Sequence, residues 1–435
     1  MKHQPYTSRR QHLLGQLGNG IAIVATAPER VRNRDTHHPY RFDSYFWYLT
    51  GFPEPEAVVV LCGGEQPQSI LFCREKNEER EIWEGYRHGP EAAREAFGFD
   101  QCYPIAELDK KLPELMADRS ALWHSIGHDP EWDQKVSAAL NAVRTQSRAG
   151  KRAPREIHDL RALLDDMRLT KDRSEQDTMR RAANISSAGH VRAMRHCRPE
   201  MAEYELEAEL THEFRRRGAN GHAYTPIVAG GANACVLHYV DNNRLLPEHG
   251  LVLIDAGCEL EGYAADITRT FPVNGRFSPA QRDTYEVVLA AQLAAIAAIR
   301  PGVSFMAYHD AAVRILAQGM IDLGLLKGSL DGIIENGDYK RFYMHRTGHW
   351  LGLDVHDAGE YKENNAGGEW IKLAPGMTLT VEPGLYIRPA ADVPEALHGI
   401  GIRIEDDVLV TADGCDVYTD APKTIADIEE VMRRD

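Results

Sequence analysis

The segment "MHRTGHWLGLDVHD" (residues 344–357) holds three histidines, His345, His349 and His356. His345 and His349 are four apart, the separation that lets two imidazoles on one helix face grip a zinc ion. That zinc-peptidase pattern also needs a glutamate directly after the first histidine, and position 346 is Arg. The alternation in "WLGLDVHD" predicts a strand instead, with His349 at its mouth and His356 at its far end. Any metal-binding partners must then come from elsewhere in the chain.

Carboxylates at strand ends supply them. In "GLVLIDAGCELEGYAADITRTFPVNG" (250–275) an apolar run delivers Asp255, the chain turns through Gly257 and Gly262, and Asp266 precedes "ITRTF". Either aspartate alone is read most simply as closing a turn. Both follow apolar stretches and flank glycines that permit close backbone approach, so together they can converge on one point. "GMTLTVEPGLYI" (376–387) repeats the arrangement with Glu382 before Pro383 and Gly384, and "GIGIRIEDDVLV" (399–410) places Glu405 after an alternating strand. Asp406 and Asp407 are expected on its solvent side. A glutamate ending a buried strand is costly unless it is paired or binds a metal. Four carboxylates and an imidazole exceed what one divalent ion needs in a dry site. They suit two cations about 3.5–4 Å apart, bridged by carboxylates and a hydroxide.

The elements that must hold these residues fall into two halves. Up to about residue 170, strand-like runs such as "AVVVLCGG" and "SILFC" alternate with helical stretches, which predicts an α/β domain over 1–170. The aromatic "RFDSYFWYLTGFPEPEAVVVL" reads as a core strand, and "REKNEEREIWEGYRHGPEAAREAF" as a charged loop exposing Trp83 ahead of a helix. "TKDRSEQD" reads as a linker feeding a long helix, with Ser174 available near its start. The second domain, 171–435, is expected to carry helices at 175–197, 201–217 and 279–300. Strand-and-turn segments lie between them and again from about 342, in two blocks that suit a duplicated αβ core.

The composition narrows the class. The 435 residues carry 50 basic and 65 acidic side chains, and a net charge of −15 argues against a nucleic-acid partner. Seven scattered cysteines without a C-x-x-C pair fit neither a disulfide framework nor a thiolate zinc site, and point to a reducing cytoplasm. No apolar run approaches bilayer-spanning length, so no membrane association is expected. "TSRRQHLL" imitates a twin-arginine signal, but the apolar stretch that follows, with "GIAIVATA", is short and interrupted by Gly18 and Gly20. An amphipathic helix and then a strand is the simpler reading.

Taken in order, these residues resemble the pita-bread metallopeptidases, the family of methionine aminopeptidase, prolidase and aminopeptidase P. The resemblance covers essentially all of 170–435 and is closest to the aminopeptidase P branch through "IDAGCELEGYAADITRTFPVNG", "HWLGLDVHD", "LTVEPGLYI" and "GIGIRIEDD". "YFWYLTGFPEPEAV" and "EIWEGYRHG" extend it into the first domain. It implies two divalent ions, with manganese favoured and zinc, cobalt or iron also compatible with such ligands. Asp255 would chelate one ion and Asp266 would bridge both. His349 and Glu382 would bind the second, and Glu405 would bridge. His238, in "ANACVLHYVDNN", and His356 would contact the substrate around the scissile carbonyl, and Glu382 would move a proton. His345 and Arg403 would shape the proline side of the cleft, and Trp83 would contact substrate, in a neighbouring subunit of a homodimer or homotetramer. Arg346 and Thr347 stand where relatives often carry small or apolar residues, a departure that bears on the substrate pocket.

The implied activity is release of the N-terminal residue from peptides with proline second, by hydroxide attack on the Xaa-Pro bond. Prolidase, limited to Xaa-Pro dipeptides, shares the ligands and is the nearest alternative. A non-catalytic pita-bread binding module has no need for all five ligands.

Overall fold

The computed structural model describes residues 4–363 and 368–433. Two compact units divide the chain, Met1–Met167 and Arg168–Asp435. The first is built on a mixed six-stranded sheet. Its strands run Gln101–Pro104, Gln68–Cys73, Val58–Cys62, Ile21–Ala25, Ala121–His124 and Glu156–Asp159 in spatial order. Ile21, Ile23, Val58, Val60, Ile70 and Phe72 bury one face against Leu112 and Met116 of one helix and Val136, Leu140 and Val143 of another.

Two segments of this unit differ from the sequence expectation. The aromatic run is a strand only from Val58; Ser44–Thr50 is a helix. Asp43 caps it by accepting from the Phe46 N–H, and Gly51 ends it at φ 61°. The two caps outweigh the β preference of the aromatics. Trp83 is exposed as expected, at 83%, but on the helix Glu78–Glu84 rather than a loop. Asn77 caps that helix, and three glutamates in its first turn favour it.

The second unit repeats one plan. Helices Arg173–His196 and Glu203–Arg216 precede the antiparallel strands Ile227–Gly230, Leu251–Asp255 and Thr268–Pro272. Helices Pro279–Ala298 and Ala307–Asp322 precede Thr378–Val381, Gly384–Ile387, Ile400–Arg403 and Asp406–Val410. The two blocks are joined by main-chain and side-chain bonds, Glu405 N–H to Thr268 O and Thr270 Oγ1 to Arg403 O. Each of the three long predicted helices forms, within three residues of its expected ends.

Three readings of this unit are corrected. The supposed linker is structural: Lys171 is buried, and Asp172, not Ser174, caps the long helix through a capping box with Glu175. Residues 350–357 form no strand. Trp350 makes a single bridge to Leu379, and the chain then bends until the Asp357 N–H reaches the Trp350 carbonyl. Asp406 and Asp407 are buried, not solvent-facing. Arg269 and Lys423 neutralise Asp406, while Asp407 accepts from the Asp266 N–H. Among the described residues no helix is long and apolar enough to cross a membrane.

Candidate metal centre and active site

Antiparallel pairing sets Asp255, the last residue of its strand, opposite Thr268, so that Asp266 lies just beyond the partner strand's start. The turn between them is tight: a Cβ on Gly257 would lie 1.7 Å from the Ala265 carbonyl oxygen. Glu382 follows the strand Thr378–Val381, and Glu405 follows Ile400–Arg403. His349 reaches the same place from an irregular segment: its N–H donates to Thr380 Oγ1, its carbonyl accepts from the Thr380 N–H, and the Thr347 carbonyl accepts from the Glu382 N–H. A Cβ on Gly348 would meet the Thr380 carbonyl oxygen at 1.9 Å.

These five side chains line one cavity of about 510 Å3, together with Tyr224, His238, His345, His356 and Arg403. Ligand atoms of Asp266, His349 and Glu405 all lie within 4.8 Å of one another. His349 Nδ1 is 2.9 Å from the Trp350 carbonyl. A carbonyl only accepts, so the proton sits on Nδ1 and Nε2 is turned inward, 3.5 Å from Asp266 and 3.6 Å from Glu382.

The electrostatics is that of a crowded anionic site. Burial pushes Glu405 and Asp255 well above and above the ordinary carboxylate range, and Glu382 up to about 7. Burial would also raise Asp266, but the adjacent His349 imidazolium, with the Tyr224 hydrogen bond and the Arg403 charge, outweighs it and holds Asp266 low. Burial opposes the charge of His349, yet Asp266 and Glu382 lift it to about 9. Two cations, Arg403 and His349, face four carboxylates. This excess of buried oxygen donors, with one imidazole, fits divalent cations.

Tyr224 and Thr268 complete the cluster, and neither was singled out in the sequence. The Tyr224 hydroxyl lies 2.6 Å from Asp255 and 2.5 Å from Asp266. Thr268 Oγ1 donates to Glu405 at 2.6 Å. Tyr224 stands 31 and 42 positions from the aspartates it joins, a separation that carries no local signal.

The remaining predicted residues divide. Arg403 donates to Asp255 at 2.5 Å and to the Tyr386 hydroxyl at 3.0 Å. His345 Nδ1 donates to the Arg346 carbonyl, leaving Nε2 to accept from Tyr386 at 2.8 Å. Burial and the Arg403 charge push His345 down to about 3, so this wall of the cavity presents a neutral imidazole. His356 is drawn back beside His349, with ring centres 4.3 Å apart, rather than standing at a strand's far end. Burial and the charge on His349 lower its pKa. Thr347 is buried, bonded to Tyr343 and His309, whereas Arg346 lines the cavity and lies over the Trp370 ring. Trp83 belongs to the other unit, exposed on its helix.

Comparison with known proteins agrees with this geometry. The model of metallopeptidase family M24 matches residues 177–412, and that of the aminopeptidase P N-terminal domain matches 6–123. The chain is 44% identical to Xaa-Pro aminopeptidase of Escherichia coli (strain K12), over 99% of this chain and 98% of that protein. It superposes on the structure of Pseudomonas aeruginosa aminopeptidase PepP with a TM-score of 0.97 at 49% identity, covering 99% and 98% of the two chains. Zinc-substituted E. coli aminopeptidase P in complex with product gives a TM-score of 0.97 at 43% identity, over all of both chains. A cavity of strand-end carboxylates, in a chain that also carries an aminopeptidase P N-terminal domain, thus has its explanation in descent: the chain belongs to metallopeptidase family M24.

Proposed function

We propose that this protein is a metal-dependent aminopeptidase that releases the N-terminal residue from peptides with proline in the second position. The observation that carries the reading is the convergence of Asp255, Asp266, His349, Glu382 and Glu405 on a cavity that His238, His345 and His356 also line. Asp255 would chelate one divalent ion, His349 and Glu382 the other, and Asp266 and Glu405 would reach both. When bound, the ions supply Lewis acidity and a water acidic enough to attack an amide at neutral pH.

The chain's own groups do the rest. Glu382, buried at the cavity with its carboxyl raised to about 7, accepts a proton from the attacking water and passes it to the departing proline nitrogen. His356 and His238 donate N–H bonds to the carbonyl oxygen as it gains charge. The substrate's ammonium lies at the Asp255 end of the cavity. Leu237, Val240 and Ile227 give the lining apolar surface. The linked Arg403–Tyr386–His345 wall receives the proline ring by shape. Shape is needed because proline has no N–H to anchor and a fixed φ.

Manganese is the metal this reading favours. Seven free cysteines support a cytoplasmic location. A homodimer or homotetramer would let the exposed Trp83 contact substrate in a neighbouring subunit. Asp255→Ala tests the whole reading when metal content and turnover of an Xaa-Pro-Xaa tripeptide are measured together. Both are expected to fall. Full turnover with two bound ions would overturn the ligand assignment, and cleavage of Xaa-Pro dipeptides alone would replace the substrate assignment by prolidase.

A further inference from the structure

Two buried carboxylates outside the metal cluster hold the loops that carry His238 and His356. Asp357, directly after His356, is 7% exposed and turned away from the cavity. Arg168 Nη2 donates to its Oδ1 at 2.5 Å and Lys171 Nζ to its Oδ2 at 2.9 Å, and both cations are buried. Arg168 also reaches Asp354 at 2.8 Å, and the Asp354 N–H donates to Asp357. A Cβ on Gly352 would lie 2.3 Å from Asp357 Oδ2, so the loop closes tightly around this carboxylate. Burial raises the Asp357 pKa, but Lys171 and Arg168 outweigh it and keep the group ionised. Residues 351–357 form no regular secondary structure, and these ionic bonds add to the few main-chain bonds that hold them, such as Ala264 N–H to the Gly352 carbonyl and Asp357 N–H to the Trp350 carbonyl.

The opposite loop is arranged in the same manner. Glu203, fully buried at the first turn of its helix, accepts four hydrogen bonds. Gly230 N–H and Asn233 Nδ2 bond one oxygen at 2.8 and 2.9 Å. The Tyr239 hydroxyl and Arg244 N–H bond the other at 2.7 and 3.0 Å. The donors span residues 230–244, the irregular stretch that contains His238. Tyr239 is anchored inward while its neighbour His238 faces the cavity, as Asp357 is anchored while His356 faces it.

We infer that Asp357, through Arg168 and Lys171, and Glu203, through Tyr239, are positioning residues that set His356 and His238 against the scissile carbonyl. The inference rests on the role proposed above for these two histidines. Freed from their anchors the loops would retain the imidazoles, but the productive orientation would be one among several. A loss of about tenfold in rate is the expected scale for such misplacement.

Double-mutant cycles on the metal-loaded enzyme test it. Asp357→Asn is expected to lower Tm, because Lys171 and Arg168 lose a buried anion, and to lower kcat about tenfold with KM and metal content little changed, yet to cost less than about twofold in kcat in a His356→Ala background. Glu203→Gln is expected to behave likewise with His238→Ala. Arg168→Gln and Tyr239→Phe, which each leave the carboxylate other partners, carry the test if the first variants fold poorly. Losses that multiply in the double variants, or that follow loss of bound metal, would overturn the inference while sparing the proposed function. Full turnover in His356→Ala and His238→Ala would instead remove the substrate-contact roles themselves, and the inference with them.

Discussion

Protons and metal ions compete for the same five side chains. With His349 lifted to about 9 and Glu382 to about 7, both carry protons at pH 6 that must leave before either can ligate an ion. Metal affinity is therefore expected to rise with pH, by about tenfold per unit for each proton displaced, from pH 6 until His349 has titrated near 9. Isothermal titration calorimetry in buffers of different ionisation enthalpy counts those protons, and a pH-independent affinity without proton release would contradict the arrangement. Tyr224 acts on the same balance, because its hydroxyl orients Asp255 and Asp266 at once. Tyr224→Phe is expected to weaken metal binding by about 10–100-fold, the usual cost of losing a group that orients a ligand. An unchanged affinity in metal-buffered titration would show that the aspartates need no such support.

The elements hold these residues by close backbone approach. Alanine at Gly257 or Gly348 would drive a Cβ to 1.7 or 1.9 Å from a facing carbonyl oxygen, so the two strands or the His349 segment must separate. Such overpacking is expected to cost about 1–3 kcal/mol or more, read as a lower Tm together with weaker metal binding. Asp172→Ala removes a helix cap and is expected to cost about 1 kcal/mol while leaving metal binding intact. The strand ends were legible in the sequence because an apolar run followed by an acid and a glycine turn is a local pattern, as at Asp255 and Glu382. The segment 350–357 was not. Its alternation imitates a strand, but its geometry depends on Arg168 and Lys171, nearly two hundred residues earlier, and on Gly352 closing over Asp357. Asp406 misled for the same reason: its burial is explained by Arg269 and Lys423, which no short window contains. Ser44–Thr50 differs for another reason: its caps, Asp43 and Gly51, are local, but the aromatic residues between them favour a strand.

Across the whole molecule, each of the two units has a hydrophobic interior of its own, but all five proposed ligands lie in Arg168–Asp435. Metal that binds the folded unit alone stabilises it by mass action, about 2.7 kcal/mol at one hundred times Kd. Calorimetry with increasing Mn2+ is expected to raise a thermal transition of this unit, and a chelator to lower it again. A profile indifferent to metal would contradict tight coupling of site and fold. The order of residues along the chain has one more consequence. Asp255 and Glu405 are far apart in sequence, and the strand beside Glu405 is held by Asp406, whose partners include Thr419 and Lys423. At roughly 5–20 residues per second, a ribosome must translate past Lys423 before these bonds can form. A peptidase built in this order stays silent while the chain from Asp255 to Lys423 is still being made, with other nascent chains within reach.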